Sequence, residues 1–445
     1  MKKSLKLTVA AVMSAFSLFA VDHETEKWQS QIDSVSASGG GRVTIPAGDH
    51  FVGSLHLKSN VELHLSEGAR LIAVPVPELF KVAKKIKNTE GHPCAIIVGV
   101  SVTNVAVTGK GEIFGNAVKF DVFGEKYQKP MGLCFYNSSR IVLEDFYLRD
   151  AAAWGVNLIR SENIVIRRLK INNHAGECTD GIDIEAKNVL IEDCDVDTGD
   201  DCYCVKSNDP DYEVENIVVR NCIARSHCNA FKLGTASHGV MRNVSFISCK
   251  TFAASRVYRD LSPMPKNLLE WKPVPGAPWY LCGPGFGVIN VECVDGGLVE
   301  NIVADDIYTE GFQTPIFVRG GDRKNRSVAR QGNKFILRNV VISNVRGRAD
   351  GRTPSTITGC DACRPRNIFL KNIDLEIPGE GENNKPFSWP GEEKAGAYPQ
   401  TNIFDIYHLP AYGLFIDKAD DVRLENVKFS LRKGTTDSRP QVFKR

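Results

Sequence analysis

The chain has 445 residues, with 55 lysines and arginines against 53 aspartates and glutamates, for a net charge of +2. Its basic residues form no long runs, which argues against nucleic acid as a partner. Past the N-terminus no apolar stretch approaches the roughly 20 residues needed to span a bilayer.

In chain order, Lys2, Lys3 and Lys6 precede an apolar run from Leu7 to Ala20 that is too short to span a membrane. This pattern predicts an export signal over 1–20, cut after Ala20 despite the large Leu18 at its −3 position, and a periplasmic or extracellular destination. The competing reading is a buried N-terminal helix. Residues 21–38 carry Trp28, Ile32 and Val35 at helical spacing and end at Gly39-Gly40-Gly41. They are expected to form a helix that caps the open edge of the first strands beyond it. No Gly-Lys-Ser/Thr comes after the glycines, so they are not a phosphate loop.

A short segment then recurs. The run from Asn163 to Leu169 matches Asn188 to Cys194, Asn216 to Cys222 and Asn243 to Cys249, with asparagine spacings of 25, 28 and 27. Weaker copies run from Phe335 to Val340, Asn367 to Ile373 and Val422 to Val427, and earlier ones begin near Asn104 and Ile141. Each copy is a β-branched run between turn residues, without the helical stretch that a βαβ crossover requires. A unit this short cannot bury its own apolar face, whereas stacked units can. The expected fold is all-β: a single-stranded parallel β-helix over 21–445, one domain. Its asparagines should stack at a corner, in αL turns, and Cys194, Cys222 and Cys249 should form an inward column of thiols. A propeller or β-sandwich is the alternative, but a propeller blade needs a period nearer 40. Residues 262–285 and 379–401 read as long loops projecting from the coil.

Thirteen cysteines leave at least one thiol unbridged. The Cys360-Asp361-Ala362-Cys363 pair has no second pair at zinc spacing, so a local disulfide or two free thiols is expected rather than a metal site. No cofactor is implied, and a monomer is expected.

Two acidic segments stand out: Thr179-Asp180-Gly181-Ile182-Asp183 and, about one repeat later, Gly199-Asp200-Asp201. Neighbouring strand residues point to opposite faces, so Asp200 and Asp201 can share a face only if a bulge or turn breaks the pleat at Gly199. Asp180, one coil earlier, should then join them on the outer face. Carboxylates this close cannot all ionise, so one should be kept protonated. A protonated acid beside an ionised partner is the equipment of glycosidic bond hydrolysis. The competing readings are plain turn aspartates and a calcium site spanning adjacent coils.

These segments resemble the Asn-Thr-Asp and Gly-Asp-Asp motifs of polygalacturonases and their relatives, glycoside hydrolase family 28, with Cys178 in place of the first asparagine. The start from Gly39 to Gly48, followed by Val61 to Gly68, and the stretch from Pro315 to Arg319 are similar to that family too. The resemblance runs from about Gly39 to Phe429. It implies a right-handed β-helix and hydrolysis with inversion, with Asp200 as general acid and Asp180 and Asp201 holding and activating water. The family's Gly-His-Gly is not intact. Ser226-His227-Cys228 retains a histidine, whereas counting back from Gly234-Thr235 puts Asn229 in its place. Where polygalacturonate-cleaving members carry Arg-Ile-Lys, this chain has Asn290-Val291-Glu292. A glutamate would repel a uronate, which implies either a neutral sugar at that position, as in rhamnogalacturonan, or other cations. Lys232, Arg259 and Arg319 are the candidates. Trp271, Trp279, Tyr280 and Tyr412 are candidates to stack on sugar faces. The expected substrate is therefore an acidic polysaccharide. A calcium-dependent lyase or epimerase and a non-catalytic carbohydrate-binding solenoid are the alternative functions.

Overall fold

The computed structural model describes residues 23–80, 94–120, 129–176, 178–257, 283–323, 335–379 and 409–445. Residues 1–22, with the proposed export signal, lie outside them, as do most of both long loops.

The polypeptide winds into a right-handed parallel β-helix, the hand that crossovers between parallel strands adopt. Each coil contributes short strands to three stacked faces. The first face runs through Val61–Leu65, Thr103–Thr108 and Ser139–Glu144; the second through Ala69–Ala73, Glu112–Phe114 and Tyr147–Arg149. The third runs through Ala95–Val100, Met131–Tyr136, Val156–Arg167, Ile182–Glu192, Tyr203–Ser207, Asn229–Ser237 and Gly285–Cys293. All described pairings are parallel and near in register.

Alternation decides what goes inside. On the first face Leu143, Ile166, Ile191, Val219, Phe246, Ala304, Ile342 and Leu370 succeed one another in register, each fully buried. The large Phe246 is followed in register by the small Ala304 on the next coil. Cys194, Cys222 and Cys249 form the expected inward thiol column within the same core. The twelve described cysteines, Cys360 and Cys363 among them, are unbridged.

The asparagine ladder is present. Asn163, Asn188, Asn216, Asn243, Asn301, Asn339 and Asn367 all take positive φ between 53° and 59°. Each side-chain amide donates to the oxygen of the preceding one at 2.8–3.1 Å. Asparagine tolerates αL and can donate and accept along a repeat of about 4.8 Å, so one residue type serves most rungs of this corner. The rung between Asn104 and Asn163 carries Arg140, also at positive φ, and it interrupts the ladder.

The N-terminal cap is a helix over 23–37, with Trp28 and Ile32 buried in the core. Gly39 and Gly40 end it at φ of 100° and 117°, a region closed to most other residues. The helix closes the first coil with side chains. Gln29 exchanges two hydrogen bonds with the His56 backbone, Glu24 accepts from the Phe51 N–H, and Thr25 Oγ1 accepts from the Gly53 N–H. Strand groups that would template another chain are thereby occupied.

Candidate active site

The acidic residues lie in turns that deliver the chain onto the third face. Strand Asp195–Thr198 ends one residue before Gly199, and Tyr203 begins the next strand, so a full turn, not a bulge, carries Asp200 and Asp201. Hydroxyls from two coils fix its shape: Thr198 Oγ1 donates to the Asp200 carbonyl at 2.5 Å and Ser226 Oγ donates to it at 2.6 Å. The Asp201 N–H donates to Asp200 Oδ1 at 2.9 Å. On the preceding coil, the Gly181 N–H donates to the Asp201 carbonyl at 2.8 Å, which stacks Asp180 beside Asp201. Asn173 Nδ2 donates to the Asp180 carbonyl at 3.1 Å and holds that turn.

Asp180, Asp200 and Asp201 therefore meet, outside the apolar core. Asp180 and Asp201 are buried and Asp200 is half-buried. Carboxylate oxygens of Asp200 and Asp201 and the Cys228 thiol lie within 4.8 Å of one another. Two lysines organise the charge. Lys232, on the outward face one coil further on, places Nζ 2.9 Å from Asp201 Oδ2. Asn229 Nδ2 donates to the other oxygen of Asp201 at 2.6 Å. Lys206 Nζ is 2.8 Å from Asp183 and 3.4 Å from Asp180, and 4.3 Å from the centre of the Trp154 ring.

These contacts set the protonation pattern. Burial pushes the Asp200 carboxyl up, and the Asp201 charge beside it adds to this, to about 6. Burial also acts on Asp201, but the Lys232 ammonium outweighs it and holds this carboxyl below its ordinary value. Burial and then the Asp183 charge raise Asp180 well above the usual range, even with Lys206 nearby. Two carboxyls thus rise where the sequence motifs suggested one. The second rise comes first from burial and then from Asp183, which shares a single lysine with Asp180 and stands closer to it. Near pH 5 Asp200 is protonated and Asp201 ionised, and burial and Asp183 favour the protonated form of Asp180.

The other candidate residues divide. Asn229 reaches Asp201, and Asn290 Nδ2 donates to Asn229 Oδ1. Lys232 is committed to Asp201 and almost wholly buried. Glu292 and Arg319 are register partners on adjacent coils, both buried, and Arg319 Nη1 donates to Thr358 Oγ1 at 3.1 Å. His227 points elsewhere and is buried rather than exposed. Its Nδ1 lies 2.9 Å from the Gly283 carbonyl and its Nε2 2.7 Å from the Arg256 carbonyl, with the His174 ring edge-on at 5.7 Å. Burial pushes His227 down to about 4, so the neutral ring donates to only one of these carbonyls at a time. Tyr412 packs on the core and donates to the Phe429 carbonyl. Arg259, Trp271, Trp279 and Tyr280 lie outside the described residues.

Sequence reasoning did not single out Lys206, Asp183, Trp154 or Asn173 as site residues. The signal for two of them was present: Asp183 lies three residues beyond Asp180, and Lys206 two beyond Cys204, at outward positions of their strands. Trp154 and Asn173 are joined to the site only by the folding of separate coils.

Residues 36–228 match Glycosyl hydrolases family 28. Over that part the chain is similar to the polygalacturonase-like members of that family. A grape (Vitis vinifera) protein named "Probable polygalacturonase" is 28% identical over 236 residues, 48% of each chain. An Aspergillus flavus protein named "Probable rhamnogalacturonase E" is 24% identical over 358 residues, 80% of this chain and 69% of the relative. The match spans about half the length of the grape protein, and likewise of a relative from Aspergillus niger. Among solved structures, a hyperthermoactive exopolygalacturonase from Thermotoga maritima superposes with a TM-score of 0.61 at 22% identity, over 79% of this chain and 83% of that one. At that identity the likeness speaks for the shared fold alone. No described helix is long and apolar enough to cross a membrane.

Proposed function

We propose that this protein is a glycoside hydrolase that cleaves an acidic, pectin-type polysaccharide, polygalacturonan or rhamnogalacturonan, with inversion at the anomeric carbon. The observation that carries the reading is a proton-bearing Asp200 against an Asp201 kept ionised by Lys232. In this reading Asp200 protonates the departing glycosidic oxygen. Asp201 takes a proton from the attacking water, and Asp180 holds that water by a hydrogen bond. The Asp200–Asp201 approach is shorter than the roughly 6.5–9.5 Å between carboxyls at which inverting enzymes admit a water. The water therefore belongs on the Asp180 side of Asp201. The same spacing is close to the roughly 5–5.5 Å of retaining enzymes, which makes direct attack by Asp201 the second reading. Export by the N-terminal segment completes the proposal, since such polymers lie outside the cell.

The donors at the site argue against the calcium-dependent alternatives. Its two clusters with metal-binding potential offer two carboxylates and a thiol each, and each cluster already holds a lysine ammonium. Calcium takes roughly 6–8 oxygen ligands. A carbohydrate-binding solenoid has no need of crowded carboxyls with opposed protonation. Hydrolysis of pectic oligosaccharides followed by proton NMR tests all of these. The expected first-formed product has inverted anomeric configuration, with turnover unchanged by EDTA and no unsaturated, ultraviolet-absorbing product. A retained anomer would favour attack by Asp201, and chelator-sensitive formation of unsaturated sugar would indicate a lyase.

A further inference from the structure

Cys228 stands beside the acid pair, although no step of the hydrolysis uses it. In the Gly-His-Gly stretch it falls on a glycine whether His227 or Asn229 takes the histidine's place, so this chain puts a side chain where that motif has none. Its backbone is pinned. The Cys228 N–H donates to Ser226 Oγ at 2.7 Å, and that hydroxyl donates in turn to the Asp200 carbonyl at 2.6 Å. The Cys228 carbonyl accepts from the Phe286 N–H at 2.5 Å. Its Sγ lies within 4.8 Å of carboxylate oxygens of both Asp200 and Asp201. Asn229 Nδ2, which donates to Asp201, also reaches Cys228 Sγ at 3.3 Å. The sulfur therefore accepts on that side and turns its own proton towards the carboxylates. Both oxygens of Asp201 already accept, one from Lys232 and one from Asn229, which leaves Asp200 the better acceptor for the S–H.

We infer that Cys228 is a positioning residue of the hydrolysis: its thiol accepts from the Asn229 amide and donates its S–H to the Asp200 carboxylate, holding Asp200 against Asp201. This rests on the hydrolase reading. The thiol keeps its proton across the working range, because burial, then the Asp201 and Asp200 charges, push it well above its ordinary value. It is therefore a donor and not a nucleophile. A hydrogen bond given to a carboxylate favours the charged form. The thiol thus works against burial and the Asp201 charge, which keep the proton on Asp200. The other charged groups facing Asp200 are Lys232, Lys206 and Asp180, and a substitution at Cys228 removes none of them. S–H is a weak donor, suited to moderating the acid without stripping it of its proton.

The test is the titration of the Asp200 carboxyl, followed by carbon-13 NMR in the full chain carrying Cys228→Ala or Cys228→Ser. Removing the donor is expected to move the Asp200 midpoint up by about half to one pH unit. Serine keeps a donor, and a stronger one, so its midpoint should stay at or below that of the unsubstituted protein. In turnover on pectic oligosaccharides, the ratio of kcat/KM at pH 7 to that at pH 5 should rise about 2–5-fold in Cys228→Ala, a gain that lost packing alone does not produce. An Asp200 midpoint unmoved in Cys228→Ala, or raised equally in Cys228→Ser, would overturn the inference. Where the alanine variant does not fold, Cys228→Gly, the residue of the motif, removes the donor in its place and is read by the same two outcomes. Absence of turnover in the unsubstituted protein would remove the hydrolase reading, while the titration still decides the contact between the thiol and Asp200.

Discussion

Asp200→Asn is expected to lower kcat on pectic oligosaccharides about 10^3-fold, the typical weight of a positioned general acid, while KM stays within a few-fold. The amide has nearly the volume of the acid and, like protonated Asp200, carries no charge, so the turn held by Thr198 and Ser226 should persist. The same assignment fixes the pH profile. Asp200 loses its proton near 6, so kcat/KM of the unsubstituted protein should fall about tenfold per pH unit above that point. Asp201, held below its ordinary value, should keep the acidic limb low, and the optimum should lie on the acid side of neutrality. Stability carries the matching sign. A carboxyl whose folded pKa is raised stabilises the fold while protonated, and this contribution is lost as pH rises from 3.8 through about 6. The Asn variant should lack that loss. Undiminished kcat, or an alkaline limb unmoved by pH, would remove Asp200 as the acid.

Lys232→Met should cost about 3–5 kcal/mol in urea unfolding at pH 7, because it leaves Asp201 as a buried charge without its ammonium. Methionine fills much of the lysine stem's volume, so the loss should come mainly from electrostatics. In the unsubstituted protein the Asp201 pKa is depressed, and its stabilising share is present above 3.8 and lost as pH falls. Without Lys232, burial is opposed only by the weaker effects of Lys206 and the Asn229 hydrogen bond, and the Asp201 pKa rises. The variant therefore recovers relative stability as pH falls through the raised value and Asp201 takes a proton. Activity should fall as well, since Asp200 and Asp201 would then compete for one proton. A loss below about 1 kcal/mol that does not change with pH would show that the pair behaves like an exposed one.

The fold was legible because a β-helix repeats its logic. One asparagine at each corner and one inward column on each face are visible as spacings of about one coil, and Asn188, Asn216 and Asn243 sit where those spacings place them. The cap was legible from Trp28 and Ile32 at helical spacing before three glycines. Asp200 and Asp201 were legible as a motif, and their meeting with Asp180 came from one coil of separation. The lysines were harder to read. A lysine in a strand is ordinarily a solvated charge, and only the stacking of coils shows that Lys206 and Lys232 are buried against carboxylates. His227 misled for a similar reason. It stands beside the motif in sequence, but the strand before it turns the ring towards the Gly283 and Arg256 carbonyls, and Asn229 two residues later reaches Asp201. Asn290 was readable only as a departure from a motif, and its donation to Asn229 emerged once the amide relay could be traced outward from Asp201.

A carbon-13 NMR titration of the aspartate carboxyls in the folded protein, assigned through Asp200→Asn and Asp201→Asn, reads the central pairing without any substrate. The resonance missing in Asp200→Asn should titrate near pH 6, while the one missing in Asp201→Asn should remain ionised below its ordinary 3.8. The reverse order, with Asp201 holding the proton to higher pH than Asp200, would contradict the account.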